Sequence, residues 1–196
     1  MTVKHRIVPA DLMDMETYGR GRRDHARATA TLKRDRRVDV GPFMTCYFEN
    51  YETMWFQVQE MLYIEKGGAA QIAGELEAYN PLIPKGAELV ATIMIEIGDA
   101  DRRARELARL GGFEETITIH VAGETICGDA EEDLDRTNAA GKASSVQFLH
   151  FPFTSTQIDA FRQPGAEVTL AVGHADYRHA TIMPEAIRTA LAGDFD

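Results

Sequence analysis

An α+β architecture follows from the point at which the hydrophobic period changes along the chain. It is read as an antiparallel sheet of about five to six strands packed with a long N-terminal helix and several shorter helices. Helical spacing dominates up to about Tyr79, and period-two alternation dominates beyond Leu89. The strand-like runs are joined by links short enough for hairpins, and their order is too irregular for a doubly wound sheet.

The first helix is marked by Asp14, an N-cap residue type, and helix formers continue to about Arg37. Its apolar seam is narrow: Tyr18, His25 and Leu32 recur every seven residues, while Gly19 and Gly21 weaken its first turns by about 1 kcal/mol each relative to alanine. Gly41-Pro42 breaks the pattern, and Phe43 to Phe48 reads as a strand. Asn50 caps a second helix whose stripe is Met54, Trp55, Val58, Met61, Leu62 and Glu65, closed by Gly67-Gly68. A third helix runs from Ala69 to about Tyr79 and stops at Asn80-Pro81 and Pro84.

Leu89 to Ile97 is apolar on nearly every position, as a strand covered on both faces is. Asp99 caps a helix to Leu110, closed by Gly111-Gly112. Ile117, Ile119 and Val121 alternate with polar residues, and Ala122-Gly123 suits a tight turn into Glu124 to Cys127. Glu131 to Lys142 reads as a polar loop. Val146 to Phe153 and Val168 to Val172 give two further strands around a short helix near Gln157 to Arg162, and Pro184 opens a last helix ending near Ala192-Gly193.

A length of 196 residues with no Pro-, Gly- or Ser-rich linker, repeat or low-complexity run reads as one domain over 1–196. Apolar content of 44% is enough for a core that needs no disulfide or metal staple. The formal charge is −10, from 31 acidic and 21 basic residues, which opposes general binding to nucleic acid or to an anionic membrane. Yet eight of those 21 basic residues lie between Arg20 and Arg37, so a local basic ridge is expected on the first helix. Such a ridge is either a solvated helix face or a docking surface for an acidic partner or a second copy of the chain. Residues 1–9 contain no apolar signal region and no run is long enough to span a bilayer, so a cytoplasmic location is expected. Cys46 and Cys127 are far apart in sequence and read as reduced thiols.

Several polar residues are hard to explain as surface. Glu65 falls on the apolar stripe of the second helix, where a carboxylate needs an arginine (Arg36, Arg37 or Arg102), a metal or another donor. Glu96, at the end of a buried strand, poses the same question. Glu60 and Glu65 are five apart, so they cannot chelate together from one helix face. His150 and His174 extend apolar strand faces; on adjacent strands they could share a transition metal with a carboxylate, though a strand histidine is more often a satisfied interior donor. Gly141-Lys142-Ala143-Ser144 fails as a phosphate loop, because Arg136 stands where its leading glycine belongs and Ala143 where a hydroxyl is needed. No motif of a serine hydrolase, zinc protease or dinucleotide site is present, and Cys46 has no histidine placed beside it by sequence.

Several ordered words carry a resemblance: Arg36-Arg37 before Gly41-Pro42, Phe48-Glu49-Asn50, Gln57-Val58-Gln59-Glu60-Met61, Glu75 to Pro84, Ala91 to Glu96 and Ser144 to Phe151. In these the chain resembles a bacterial family catalogued as domain of unknown function 3501. The resemblance implies association with rubrerythrin-type and iron–sulphur oxidoreductase genes, hence an iron or peroxide redox setting. The expected ligand-binding set is Arg36, Arg37, Glu49, Gln57, Glu60, Glu65 and Glu96, with His150 and His174 as metal candidates. Two readings follow: a non-catalytic accessory or binding protein for a redox partner or homodimer, and a metal-dependent redox or hydrolytic enzyme using Glu60 or Glu65 with a histidine.

Overall fold

The computed structural model describes residues 3–131 and 142–196. In chain order its helices are α1 (Met15–Arg34), α2 (Tyr51–Glu65), α3 (Ala69–Tyr79), α4 (Ala100–Arg109), α5 (Ser155–Arg162) and α6 (Glu185–Ala192). Its strands are β1 (Arg37–Val40), β2 (Met44–Glu49), β3 (Glu88–Ile95), β4 (Ile117–Val121), β5 (Glu124–Cys127), β6 (Asp129–Ala130), β7 (Val146–Pro152), β8 (Val168–His174) and β9 (Tyr177–Ile182). Every pairing among the described residues is antiparallel, so the class is α+β. The strands divide into two sheets, ordered β1-β2-β3-β7-β6 and β5-β4-β8-β9, where the sequence suggested one sheet.

The chain passes from the second sheet back to the first at Gly128. Its N–H donates to the Ile117 carbonyl at 2.9 Å. A Cβ there would come within 2.6 Å of the Leu149 side chain, so only glycine fits the crossing without displacing its neighbours. The inner faces of the two sheets share one large core, to which Phe48, Ile93 and Phe151 contribute from the first and Ile119, Leu170 and Val172 from the second. On the outer face of the five-stranded sheet, α1–α3 and the segment around Ile7 and Leu82 build a smaller core over Val90. The order is therefore helices, sheet, sheet.

Helix caps form where the sequence marks them. Asp14 accepts from Thr17 N–H, Asn50 forms a reciprocal pair with Thr53, and Asp99 accepts from Arg102 N–H. α1 is shorter than expected: it stops at Arg34, and Arg37–Val40 is a strand. Val38 and Val40 point into the large core as a half-buried strand does, and Gly41-Pro42 serves the β1–β2 turn, with Gly41 at φ +72°. β9 was absent from the sequence reading because it is an edge strand whose residues are mostly exposed and do not alternate. The polar loop expected over Glu131 to Lys142 lies, apart from its two ends, outside the described residues. Ala143, beside it, is buried and donates its N–H to Leu107.

Candidate functional site

Strand alternation sends Thr45, Tyr47 and Glu49 of β2 to the outer face of the five-stranded sheet, together with Thr92 and Met94 of β3 and Phe148 of β7. Register aligns Tyr47, Thr92 and Phe148 in one row across three strands. The helical layer covers Val90 but stands off this row, leaving a cleft of about 290 Å³. Lys33 reaches it from the last turn of α1, Met54 and Gln57 from α2, and Tyr79 from the end of α3.

The deepest polar group is Glu49, which is only 4% exposed. Its Oε1 accepts a 2.8 Å hydrogen bond from the Thr92 hydroxyl. Its Oε2 is buried and has no partner among the described residues. A buried carboxylate oxygen without a donor costs on the order of several kcal/mol, so native proteins keep very few of them. Gln57 donates weakly to the Tyr79 hydroxyl, at 3.4 Å, and Tyr47 donates to Glu96 Oε1 at the same distance. Burial pushes the Tyr47 hydroxyl's pKa up, and the nearby Glu96 charge adds to this.

Beneath the cleft, Arg36 is 2% exposed. It donates to the Phe48 and Glu49 carbonyls at 2.9 and 3.1 Å, and pairs with Asp194 through both terminal nitrogens. Arg36 therefore holds the β2 backbone that carries Glu49 and is itself anchored to the C-terminal segment.

Over residues 6–195 the sequence matches the family model "Protein of unknown function (DUF3501)". The chain belongs to this family. A solved structure described as a novel protein of unknown function from Burkholderia pseudomallei K96243 is similar to this DUF3501 chain. The two are 33% identical, with a TM-score of 0.90, over 97% of this chain and 99% of that one. No curated protein matches.

Five of the six words that carry the family resemblance meet at the cleft. Phe48-Glu49-Asn50 supplies Glu49, the Gln-x-Gln-Glu-Met word supplies Gln57, and the Tyr-Asn-Pro-Leu-Ile-Pro word supplies Tyr79 and Leu82. Ala91 to Glu96 supplies Thr92 and Met94, and Ser144 to Phe151 supplies Phe148. Their remaining members build the frame. Gln59 accepts from Met13 N–H at 3.1 Å, and Asn80 makes two hydrogen bonds, of 2.7 and 3.0 Å, with the backbone of Ile7.

The other expected site residues fall elsewhere. Arg37 is exposed, pairs with Asp39 at 3.0 Å and lies over the Tyr47 ring. Glu60 is clamped in the α1–α2 seam by Arg22, at 2.9 and 2.8 Å, and by Tyr18 at 2.6 Å; the Arg22 hydrogen bonds hold its pKa below the usual carboxylate range. Glu65 is exposed and accepts from Gln71 at 2.8 Å, so none of the arginines proposed for it is its partner; the helix has reached its last turn there and left the core. Glu96, also exposed, accepts from the Thr45 hydroxyl at 2.6 Å.

His150 and His174 lie on β7 and β8, which belong to different sheets, so the strand adjacency needed for a shared site does not form. His150 instead sits between Glu88, at 2.9 Å from Nδ1, and Glu131, at 3.4 Å from Nε2. Among the described residues no group of three histidine, cysteine or acidic side chains is arranged to hold a metal ion. His174 accepts from Asp176 N–H at 3.2 Å. Cys46 is fully buried, and burial pushes its thiol pKa far up, which removes it as a nucleophile.

Sequence reasoning found Glu49 and Gln57 but missed Thr92, Tyr47 and the rest of the lining. The available signal was Thr92, the one polar residue between Leu89 and Ile95, which alternation places on the face opposite Ala91 and Ile93.

Proposed function

We propose that this chain is a non-catalytic binding protein, an accessory in a bacterial iron or peroxide redox setting, and that the cleft over the five-stranded sheet is where it binds a small ligand. The observation that carries this reading is Glu49 Oε2: a buried acceptor in a cleft, with no donor among the described residues. The cleft falls near the lower end of the volumes that small-ligand sites occupy, about 300–1,000 Å³. Its lining also has the usual make-up of such sites, mainly apolar and aromatic with a few convergent polar groups.

Two further observations favour binding over catalysis and the cleft over the basic ridge. Among the described residues no histidine or cysteine lines the cleft, and the sole partner of the Glu49 side chain is the Thr92 hydroxyl, so Glu49 is not hydrogen-bonded to a second ionisable group. On the ridge, Arg20, Arg22 and Arg27 already pair with Glu16, Glu60 and Asp24, which leaves less positive charge for an acidic partner.

The test is native mass spectrometry of freshly purified protein, together with a thermal-shift screen against small organic cations, anions and neutral compounds. An added mass, or a rise in Tm caused by one class and abolished in Glu49→Gln, is the expected result. A bare mass with no class shifting Tm overturns the reading.

A further inference from the structure

We infer that the cleft takes a small amphoteric amine: a primary ammonium met by Glu49, Gln57 and Thr92, and a carboxylate met by Lys33. This inference rests on the binding reading above and names the class of ligand.

Three acceptors in the cleft have capacity to spare. Glu49 Oε2 accepts nothing from the described residues. Gln57, which also lines the cleft, gives an N–H to Tyr79, and its carbonyl oxygen has no donor among the described residues. The Thr92 hydroxyl gives its only proton to Glu49 and keeps lone pairs to accept with. Three acceptors of this kind match the three N–H bonds of a primary ammonium, and the carboxylate makes one of those hydrogen bonds charge-assisted. A neutral alcohol or amide would leave acceptors unanswered, and an anion would add a fourth.

The wall suits a cation with an apolar body. Tyr47, Tyr79 and Phe148 supply aromatic rings, and Met54 and Met94 supply polarizable thioethers. Ring faces attract cations and accept alkyl groups equally well, so they suit a charged head on an apolar body. Arg37, outside the cleft lining, lies over the Tyr47 ring at 5.6 Å, so this ring already meets one cation.

Lys33 selects the other end of the ligand. It lines the same cleft, and its ammonium makes no ion pair or hydrogen bond with a described residue. A simple amine would leave it unanswered and be repelled by it. A ligand whose other end is a carboxylate turns that repulsion into attraction. The cleft volume of about 290 Å³ is that of about ten waters, which suits a molecule the size of an amino acid.

The experiment is calorimetric titration of the full chain with 5-aminovalerate, norvaline, n-butylammonium and valerate. One of the two amino carboxylates is expected to bind at least about tenfold tighter than n-butylammonium, with valerate weakest. Glu49→Gln should weaken that amino carboxylate by about tenfold or more, as loss of one charge-assisted hydrogen bond requires. Lys33→Met should reduce its affinity to that of n-butylammonium. Thr92→Val serves in place of Glu49→Gln should the latter not fold, because it releases the carboxylate from its fixed position. Binding of n-butylammonium as tight as that of both amino carboxylates, or tighter binding of valerate, overturns the ligand class while the cleft remains a binding site. Heat from none of the four probes, in a protein that also fails the mixed screen, overturns both.

Discussion

The Thr92 hydroxyl donates to one oxygen of Glu49 and fixes the carboxylate, while the other oxygen is buried with no donor among the described residues. These two residues are 43 positions apart and meet only because β2 and β3 pair with Tyr47 opposite Thr92 and Glu49 opposite Val90. A site whose main acceptor is unanswered in the free protein gives up stability there.

Glu49→Gln is accordingly expected to stabilise the free protein. The amide keeps the Thr92 hydrogen bond to its carbonyl and removes the charge from a place with little water. A gain of about 1 kcal/mol, seen as a rise in Tm of about 2–4 °C for a chain of this size, is the expected outcome in a thermal melt. A fall in Tm would mean that the carboxylate is already satisfied in solution.

Asp194→Ala tests the anchor under the site. It leaves the Arg36 guanidinium buried with its ion pair gone and only carbonyls to meet it, a change that costs about 3–5 kcal/mol. Urea unfolding should show the loss. The double variant Arg36→Met, Asp194→Leu should recover a large part of it, because neither charge of this pair is then left buried.

The cluster at His150 sets a pH dependence. The Glu88 hydrogen bond, helped by Glu131, raises the His150 pKa against the opposing effect of burial. For Glu88, burial pushes the pKa up, but the His150 hydrogen bond and charge and the Lys85 N–H outweigh it, and the net direction is down. A raised histidine stabilises the fold fully below its unfolded pKa of about 6.5, and that stability is lost as pH rises through the raised value. A lowered glutamate stabilises above its unfolded pKa of about 4.3, and loses this as pH falls through the lowered value. The difference in unfolding free energy between wild type and His150→Gln should therefore be largest near pH 5–6 and shrink toward pH 8.5. A difference that grows with pH would show the histidine to be neutral in the fold.

The β4–β5 turn offers a gain unrelated to the cleft. Ala122 at φ +51° and Gly123 at φ +80° place both central residues in the left-handed region, as hairpins of this twist require. Only Gly123 does so without cost. Ala122→Gly or Ala122→Asn is expected to stabilise by about 1 kcal/mol, measured by thermal or urea unfolding.

Local signals in the sequence were legible where they act locally. Asp14, Asn50 and Asp99 cap helices because a short acceptor side chain meets its own N3 or neighbouring N–H whatever the rest of the chain does. Ala122-Gly123 makes its turn for the same reason. What could not be read was which strands are neighbours. His150 and His174 look alike by pattern but lie in different sheets, because the chain changes sheet between β7 and β8 through the α5 segment. Glu49 and Gln57 were found as candidates because they are polar beside apolar residues. Glu65 was chosen by the same rule and turned out exposed, since periodicity does not say where a helix leaves the core. Thr92 was passed over because one threonine in a strand is ordinary until register puts a buried carboxylate beside it.

The five-stranded sheet is shared by two cores of unequal size, and this bears on how the molecule opens. The large core joins both sheets, while the smaller one holds α1–α3 on the outer face through far fewer buried side chains. Native-state hydrogen exchange should resolve this inequality into two tiers of protection. Amides of α2 and α3 should exchange through a partial opening of low free energy, and those of β3 and β7 only through global unfolding. The cleft lies on the boundary between the tiers, so a ligand seated there tethers the weaker layer to the stronger. Its binding should slow exchange in α2 and α3, whose partial opening releases the ligand, and slow β3 and β7 as far as it raises global stability.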